Sequence, residues 1–328
     1  MTRQIAIETE RFKIAGGGFA ISRGRRTHAE VLTVRITDGP VSGIGECVPY
    51  ARYGESLESV QEQILQIETD LQEGLDRTQL MVSFPAGAAR NAIDCALWDL
   101  EAKSSGRSIS ELAGLEPLQS LTTAFTISVG TPEDMGAATE KAAHRPLLKV
   151  KLAGQGDMER ILAVRDAAPN ATLIVDANEA WDETCFRDNL EACTKAGVAL
   201  IEQPLPAGND AALKGLTSSA AICADESLHT SADLETLRDR YDAVNIKLDK
   251  AGGLTEALKM VKHARALDFK VMLGCMLGTS LAMAPAIVAA QGADFVDLDG
   301  PLLLEEDRDP ALRFEGSTLF PPTPELWG

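Results

Sequence analysis

Charged residues alternate with apolar residues in a short segment that otherwise has the composition of a buried strand. The segment covers residues 148–152, LKVKL, in which Lys149 and Lys151 alternate with aliphatic side chains. Residues two apart share one face of a strand, so both ammonium groups point the same way. An unpaired ammonium in apolar surroundings is costly. The alternation therefore indicates that both lysines meet partners of opposite charge.

Carboxylates end three of the apolar segments that follow. Asp176 closes TLIVD, Glu202 closes ALIE and Asp225 closes ICAD. An all-oxygen trio on rigid neighbouring strands suits a hard divalent cation, Mg²⁺ first and Mn²⁺ second. We predict one Mg²⁺ per subunit at these three ligands. Asn178 and Glu226, which lie close to them in sequence, are predicted to support the site.

The elements that position these residues repeat along the chain from Thr122 onward. The apolar segments are TAFTISV, LLKVKL, TLIVD, VALIE, AAICAD, AVNIK, KVMLG and DFVDLD. Helical segments such as MERILAVRDA and TEALKMVKHARAL lie between them. Strands that alternate with helices predict a doubly wound sheet or a parallel barrel, and eight units favour the barrel. In such a barrel the carboxyl ends of the strands form one rim, where active sites lie.

Barrel geometry assigns positions around that rim. Strands four apart in an eight-stranded ring lie on opposite sides, so Lys151 on the second strand faces Lys247 on the sixth. A metal that binds a substrate carboxylate stabilises the charge formed when the α-proton leaves, and each lysine can reach one face of that carbon. The pattern predicts a two-base proton transfer, which is a racemisation or epimerisation. A Schiff-base aldolase would use a barrel lysine but would not need the carboxylates.

The first third of the chain has a different pattern. Three strands are predicted at residues 4–13, 29–37 and 43–48, with turn residues between them that favour antiparallel pairing. Two helices are predicted at 57–73 and 87–103.

Composition excludes several classes of partner. The chain has 31 Lys and Arg against 49 Asp and Glu, a formal net charge of −18. This excess argues against nucleic acid and against an anionic membrane surface. No apolar stretch is long enough for a membrane span, and the first residues lack a signal-peptide core. The six cysteines form no CxxC pair. We predict a cytoplasmic protein with reduced thiols.

Five motifs carry a resemblance to a known family. They are KxK at 149–151, DAN at 176–178, EQP at 202–204, ADES at 224–227 and NIKLDKAGG at 245–253. The combination resembles the enolase superfamily, in the subgroup typified by muconate-lactonising enzyme. The resemblance implies an α/β fold, a (β/α)7β TIM-type barrel with an α+β capping domain. It implies a cap at residues 1–118, a barrel at 119–310 and a tail, 311–328, that returns to the cap.

Within that subgroup the sequence is similar to dipeptide epimerases that act on L-Ala-D/L-Glu. The marker is DLDGP, and the resemblance implies that Asp297 and Asp299 hold the α-ammonium group of a dipeptide. The ISRG segment implies that Arg23 binds the side-chain carboxylate, with Arg25 and Arg26 beside it as alternatives. The implied reaction converts L-Ala-D-Glu to L-Ala-L-Glu in murein peptide metabolism, with Lys151 and Lys247 as the two bases.

Three further residues are predicted to bind substrate on weaker grounds. Thr126 is expected to point inward on the first barrel strand, together with Ala124 and Ser128. Lys149 shares a face with Lys151, and Cys275 follows the seventh strand.

Other readings remain open. An N-acylamino-acid racemase, an o-succinylbenzoate synthase or a cycloisomerase of the same subgroup would use the same metal and lysines. Their substrates carry no ammonium, which would leave Asp297 and Asp299 unpaired. A non-catalytic binding protein would lack a ligand or a base, and none is missing. The second residue of the dipeptide and the oligomeric state, including a homo-oligomer, stay open.

Overall fold

The computed structural model describes residues 2–328, which form a small antiparallel sheet with helices beside an eight-stranded parallel sheet. The strands of the first part are β1 (Gln4–Lys13), β2 (Phe19–Ile21), β3 (Gly24–Arg26), β4 (His28–Asp38) and β5 (Val41–Cys47). Its helices are α1 (Leu57–Gln66), α2 (Glu68–Gln72), α3 (Arg77–Ser83), α4 (Ala88–Ser105) and α5 (Ile109–Ala113). We call this part the cap.

The cap sheet has the order β1-β4-β5, and β2 and β3 form a separate hairpin. Leu32, Val34 and Ile36 alternate along β4 and pack in one core with α1, α3 and α4. Gly45 on β5 permits the close approach of α4, because a Cβ there would lie 2.2 Å from the carbonyl oxygen of Ala92. The period-two pattern therefore decides which face of this sheet receives the helices.

One predicted helix is two helices in the structure. The sequence predicts a helix over 57–73, but Ile67 has φ −112° and ψ 13°, outside the helical region, and separates α1 from α2. The apolar periodicity continues across this break because Ile64 and Leu71 are both buried in the cap core. Packing is preserved while the hydrogen-bond ladder is interrupted, so periodicity alone did not reveal the break.

The second part is the barrel. Its strands are β7 (Phe125–Ile127), β8 (Leu147–Lys151), β9 (Thr172–Asp176), β10 (Leu200–Glu202), β11 (Ala221–Ala224), β12 (Ala243–Ile246), β13 (Lys270–Gly274) and β14 (Phe295–Asp297). They follow one another in chain order around the sheet and are parallel. The ring is closed by the amide of Ala124, which donates to the carbonyl of Val296 at 2.8 Å.

Helices follow the strands of the barrel along the chain. They are α6 (Pro132–Ala142), α7 (Asp157–Ala167), α8 (Phe186–Lys195), α9 (Leu234–Leu237), α10 (Leu248–Ala251), α11 (Leu254–Ala266) and α12 (Ser280–Ala289). The connection from β10 to β11 holds a single 3-10 turn, Ala211–Leu213. A small sheet joins β6 (Leu121–Thr122), β16 (Thr318–Leu319) and β15 (Phe314–Glu315). No helix within residues 2–328 is both long and apolar enough to cross a membrane.

Helix α4 lies between the cap sheet and the barrel, and most of its residues are buried. The Arg90 guanidinium donates to the carbonyls of Ala251 (2.7 Å) and Gly252 (3.0 Å) at the end of α10. The Asp94 carboxylate accepts hydrogen bonds from the Thr255 amide and hydroxyl at the start of α11. These contacts fix the cap over the carboxyl ends of the strands, where the charged residues lie.

Candidate active site

The candidate site residues lie on the inward faces of the barrel strands, above an apolar layer. That layer consists of Ala124, Leu147, Ile174, Leu200, Ala221, Cys223, Ala243 and Met272. Inward positions recur every second residue, so Leu147 is followed by Lys149 and then Lys151. Ile174 is followed by Asp176 in the same way. The period-two argument from the sequence is therefore sufficient to place the charges inside the barrel.

The two lysines predicted as bases are held by different carboxylates of the trio. Lys151 Nζ donates to Asp176 Oδ2 at 2.5 Å, and Lys247 Nζ donates to Asp225 Oδ2 at 2.7 Å. Their strands, β8 and β12, are four places apart in the sheet order. The ammonium groups therefore approach the same interior from opposite sides of the ring. Both lysines line the cavity between cap and barrel.

Lys149 occupies the centre of the barrel interior. Its Nζ lies 2.7 Å from Glu202 Oε2, 2.7 Å from Asp297 Oδ2 and 3.3 Å from Asp176 Oδ2, and the residue is 1% exposed. Glu202 and Asp297 come from β10 and β14, which are also four strands apart. Protein carboxylates therefore balance the charge of Lys149. The predicted contact of Lys149 with substrate stays a prediction.

Burial and neighbouring charges shift the pKa values of the site residues in different directions. Burial acts to raise the pKa of Asp225, but Lys247 and Lys250 hold it well below its ordinary value. Burial and the charge of Asp176 raise the pKa of Glu202 to about 7. Burial acts to lower the pKa of Lys247, while Asp225 and Glu202 raise it, and the net direction is upward.

The carboxylate oxygens of the trio are the kind of donor that a hard cation prefers. Asp176 and Glu202 are paired in register on adjacent strands, and Asp225 lies two residues beyond Cys223, the partner of Glu202. All three carboxylates are buried. Within residues 2–328, no three His, Cys, Asp or Glu side chains are gathered closely enough to hold an ion, since ammonium groups lie between the acids. Glu202 Oε2 forms an ion pair with Lys149 Nζ at 2.7 Å, and Oε1 accepts from Asn245 Nδ2 at 2.7 Å.

The two aspartates of the DLD segment have different surroundings. Asp297 pairs with Lys149 through Oδ2, whereas its Oδ1 is buried without a hydrogen-bond partner. Asp299 Oδ2 accepts from the backbone amide of Thr126 at 2.7 Å. Burial and the charge of Asp297 raise the pKa of Asp299 to about 7. Thr126 thus contributes its amide to the site, and Asp297 retains one oxygen for a ligand.

Loops of the cap are fastened to the barrel rim by Arg23. Its guanidinium donates to Glu226 Oε1 at 2.7 Å and to Glu179 Oε2 at 3.2 Å. It also donates to the Tyr50 hydroxyl at 2.9 Å, which lies on the second cap loop. Arg52 on that loop forms two hydrogen bonds to Glu179. Glu226 therefore holds the cap loop on the barrel rim, and its supporting role in the site stays a prediction.

The loop after β9 has unusual backbone geometry. Asn178 and Glu179 have φ values of 45° and 67°, which are uncommon for residues with a side chain. The Asn178 amide donates to Asp176 Oδ1 at 2.9 Å, and its carbonyl accepts from Ser22 and Arg23 of the cap. Such conformations cost on the order of 1–3 kcal/mol each. The turn joins a candidate metal ligand to the cap loop, and the supporting role of Asn178 stays a prediction.

A cavity of about 480 Å³ separates the cap loops from the barrel rim. Its floor includes Lys151, Asp225, Glu226 and Lys247, and Cys275 lies at its side. Burial raises the pKa of the Cys275 thiol well above its ordinary value, with Asp297 and Asp299 adding to the effect. Cys275 is therefore a neutral wall residue.

Two residues of the site were not predicted. Lys250 Nζ donates to Asp225 Oδ1 at 2.5 Å, to the Asp225 carbonyl at 2.5 Å and to the Asn245 carbonyl at 3.2 Å. Asn245 Nδ2 donates to Glu202 Oε1 at 2.7 Å. Gly274 leaves room for this amide, because a Cβ there would lie 2.6 Å from Asn245 Oδ1. Asn245 lies two residues before Lys247, so the period of two along a strand could have identified it. Lys250 reaches the site from a helix, and no sequence pattern indicated it.

Two family models match successive parts of the chain. Residues 3–114 match the N-terminal domain of mandelate racemase / muconate lactonizing enzyme. Residues 130–323 match the enolase C-terminal domain-like model. The chain belongs to the mandelate racemase / muconate lactonizing enzyme family. The predicted resemblance and the predicted barrel with an α+β cap are confirmed.

Curated relatives in this family cover nearly the whole chain. It is 48% identical to the L-Ala-D/L-Glu epimerase of Escherichia coli (strain K12) over 298 residues, 90% of this chain and 93% of that protein. It is 46% identical to the N-acetyl-D-glutamate racemase of Pseudoalteromonas sp over 303 residues, 91% of this chain and 95% of that protein.

Solved structures of the family are similar over the same extent. An enolase family member from Agrobacterium tumefaciens with homology to dipeptide epimerases, solved with sodium and L-Ala-L-Glu, is 55% identical with a TM-score of 0.98. The match covers 99% of this chain and 100% of that one. A dipeptide epimerase from Methylococcus capsulatus, complexed with Mg and L-Arg-D-Lys, is 29% identical with a TM-score of 0.87 and covers 98% of each chain.

Proposed function

We propose that this protein is a divalent-metal-dependent dipeptide epimerase that inverts the α-carbon of the C-terminal residue, with L-Ala-D-Glu and L-Ala-L-Glu as its substrates. The observation that carries the proposal is the position of Lys151 and Lys247. They lie on opposite strands of one barrel and line one cavity, and each contacts a different member of the carboxylate trio. The relatives that act on Ala-Glu, at 48% identity, and that bind it, at 55% identity, support the choice of substrate.

The chain's residues divide the work of the reaction. Lys151 and Lys247 are the two groups that remove and return the α-proton, one on each face of the carbon. Asp176, Glu202 and Asp225 are the ligands proposed for the metal, with Mg²⁺ favoured by their oxygen donors. When bound there, the cation supplies positive charge that stabilises the substrate carboxylate as the α-proton leaves.

The substrate's other end is assigned to the DLD segment. Asp297 has a buried oxygen without a hydrogen-bond partner, and a dipeptide ammonium is a donor of matching charge. Asp299 stands beside it, fixed by the Thr126 amide. This pair would hold the amino terminus while the C-terminal carboxylate lies toward the trio.

The experiment that tests the function is exchange of the α-proton in D2O. The purified protein with Mg²⁺ is expected to incorporate one deuterium into L-Ala-L-Glu and to produce L-Ala-D-Glu, followed by mass spectrometry and NMR. Removing divalent cations with EDTA should stop both changes, and Mg²⁺ should restore them. Absence of exchange from every member of a dipeptide library at saturating Mg²⁺ would reject the proposal.

A second candidate function is racemisation of N-acetylglutamate. The 46% identical relative bears that activity in its name. The pairing of Asp297 with Lys149 and of Asp299 with the Thr126 amide favours this candidate as well. Each aspartate already has a partner within the protein. A substrate that lacks an ammonium group would therefore leave neither aspartate without any partner.

Asp297→Asn distinguishes the two substrates. We expect kcat/KM for L-Ala-L-Glu to fall about 10- to 100-fold, because a charged hydrogen bond to the ammonium is lost. N-acetylglutamate turnover should fall less. Asp294→Asn is the matched control, since Asp294 lies at the opposite end of the same strand and pairs with Arg265. Equal losses for both substrates would show that Asp297 has a structural role and does not recognise the ammonium group.

Three finer statements remain predictions. They are the cytoplasmic location, the role in murein peptide metabolism and a homo-oligomeric state. They rest on the composition and on the resemblance described above.

A further inference from the structure

One carboxylate of the site is shared by two lysines. Lys247 Nζ lies 2.7 Å from Asp225 Oδ2, and Lys250 Nζ lies 2.5 Å from Asp225 Oδ1. Both lysine side chains are buried. Lys247 lines the active-site cavity, whereas Lys250 lies outside that lining. The two lysines therefore have the same charge and the same partner but different access to a substrate.

The ammonium group of Lys250 has no donor left for a ligand. It donates to Asp225 Oδ1 and to the Asp225 carbonyl, both at 2.5 Å, and to the Asn245 carbonyl at 3.2 Å. An ammonium group carries three donors, so these acceptors use all of them. Asp225 comes directly after β11, Asn245 lies on β12 and Lys250 lies on α10. Contacts within the protein therefore fix the position of Lys250.

Lys247 is held by fewer contacts. Its Nζ donates to Asp225 Oδ2 and lies 3.9 Å from Glu202 Oε1, which is beyond hydrogen-bond distance. In the proposed function this lysine exchanges a proton with the α-carbon of the substrate, so its ammonium group must separate from Asp225. A buried carboxylate that loses its only partner is strongly unfavourable. Lys250 is a partner of Asp225 that remains in place when Lys247 moves.

The other cavity lysine has a similar arrangement on the opposite strand. Lys151 Nζ donates to Asp176 Oδ2 at 2.5 Å, and Lys149 Nζ lies 3.3 Å from the same oxygen. Lys149 also pairs with Glu202 and Asp297, so its position does not depend on Lys151. Each cavity lysine thus shares its carboxylate with a second lysine that is more deeply buried.

We propose that Lys250 is a positioning residue that occupies Asp225 Oδ1 and thereby allows Lys247 to leave Asp225 for the substrate. The inference rests on the proposed function and deepens it. Without Lys250, Asp225 Oδ1 would be an unpaired charged acceptor beside Lys247, and Asp225 would retain Lys247 as its partner. Proton transfer would then slow on the face of the α-carbon that Lys247 reaches. The face that Lys151 reaches would keep its rate.

The test is Lys250→Met, which removes the charge and the three donors from a side chain of similar length. Exchange of the α-proton in D2O with saturating Mg²⁺ is measured separately from L-Ala-L-Glu and from L-Ala-D-Glu. The epimer that Lys247 serves is the one whose exchange is lost in Lys247→Ala. For that epimer we expect kcat of exchange to fall at least about tenfold, and for the other epimer to stay within about twofold. KM should change little, because Lys250 does not line the cavity.

Two further variants complete the experiment. Lys259→Met is the matched control, because Lys259 lies on the neighbouring helix α11 with a side chain that is 66% exposed. It should exchange both epimers at the normal rate. Lys250→Gln keeps an amide donor without the charge and should show the same asymmetry between epimers. It replaces Lys250→Met if that variant has no cooperative thermal unfolding transition.

A loss confined to one epimer distinguishes the proposed role from a defect in folding or in metal binding. Equal losses from both epimers would overturn the inference, and so would normal exchange from both. Loss of the Mg²⁺-dependent rise in melting temperature in Lys250→Met would also overturn it, because Lys250 would then act on the metal site. If neither Lys250 variant folds, the residue is structural and the inference is rejected. If the unaltered protein exchanges neither epimer, the proposed function itself fails.

Discussion

Lys151→Ala is expected to abolish α-proton exchange from one epimer of L-Ala-Glu, and Lys247→Ala is expected to abolish exchange from the other. The two lysines approach the cavity from opposite strands, and in the proposed function each one reaches a single face of the α-carbon. Loss of a positioned acid or base costs about 10²- to 10⁴-fold in rate. The measurement is deuterium incorporation from each epimer separately, by mass spectrometry at early times.

The pattern of loss is more informative than its size. Neither variant should interconvert the epimers, since inversion needs both lysines. Each variant should still exchange the α-proton of the epimer that its remaining lysine can reach. Lys270→Ala is the control, because Lys270 is an exposed lysine at the opposite end of a barrel strand. Interconversion at the normal rate by either single variant would show that the two-base assignment is wrong.

Glu202→Gln is expected to lower Mg²⁺-dependent exchange by at least about 10³-fold, because a metal contributes several kcal/mol to stabilising the carboxylate charge and each 1.36 kcal/mol is tenfold. Glu202 is the central member of the trio and is fully buried. The amide keeps its shape but removes the charge. An independent readout is thermal unfolding: Mg²⁺ should raise the melting temperature of the unaltered protein and much less that of the variant.

A control separates loss of metal from loss of fold. Glu191→Gln makes the same chemical change at an exposed position on α8 and should leave both readouts unchanged. If Glu202→Gln loses exchange but keeps the full Mg²⁺-dependent rise in melting temperature, Glu202 is not a metal ligand. The effect would then arise from its contacts with Lys149 and Asn245.

Sequence reasoning reached the barrel interior because strands repeat with a period of two. That period connects Lys149 to Lys151, and it equally connects Asn245 to Lys247. The barrel order then identifies which strands oppose each other, and the structure has β8 opposite β12 as expected. Positions on regular parallel strands are predictable because geometry alone determines their direction.

Residues that reach the site from loops or helices were harder to predict. Lys250 lies on a one-turn helix, and its contact with Asp225 depends on how α10 leaves the strand. Glu179 joins two cap loops through a backbone of positive φ that no sequence period indicates. The contacts of Arg23 with Glu226, Glu179 and Tyr50 depend on how the cap loops meet the barrel rim. These are tertiary facts, and local pattern carries no information about them.

The burial of α4 has a consequence for how the chain is made. Trp327 Nε1 donates to the Cys95 carbonyl, and the Gly328 amide donates to Asp99, 229 residues earlier in the chain. At about 5–20 residues per second, a ribosome needs roughly 10–45 s to synthesise that interval. Until residues 251–255 and then residues 327–328 have been synthesised, the barrel-facing side of α4 lacks part of its partners, and its apolar surface is open to other nascent chains. The cap is synthesised early but completed late, so chaperone demand should be greatest before the barrel closes.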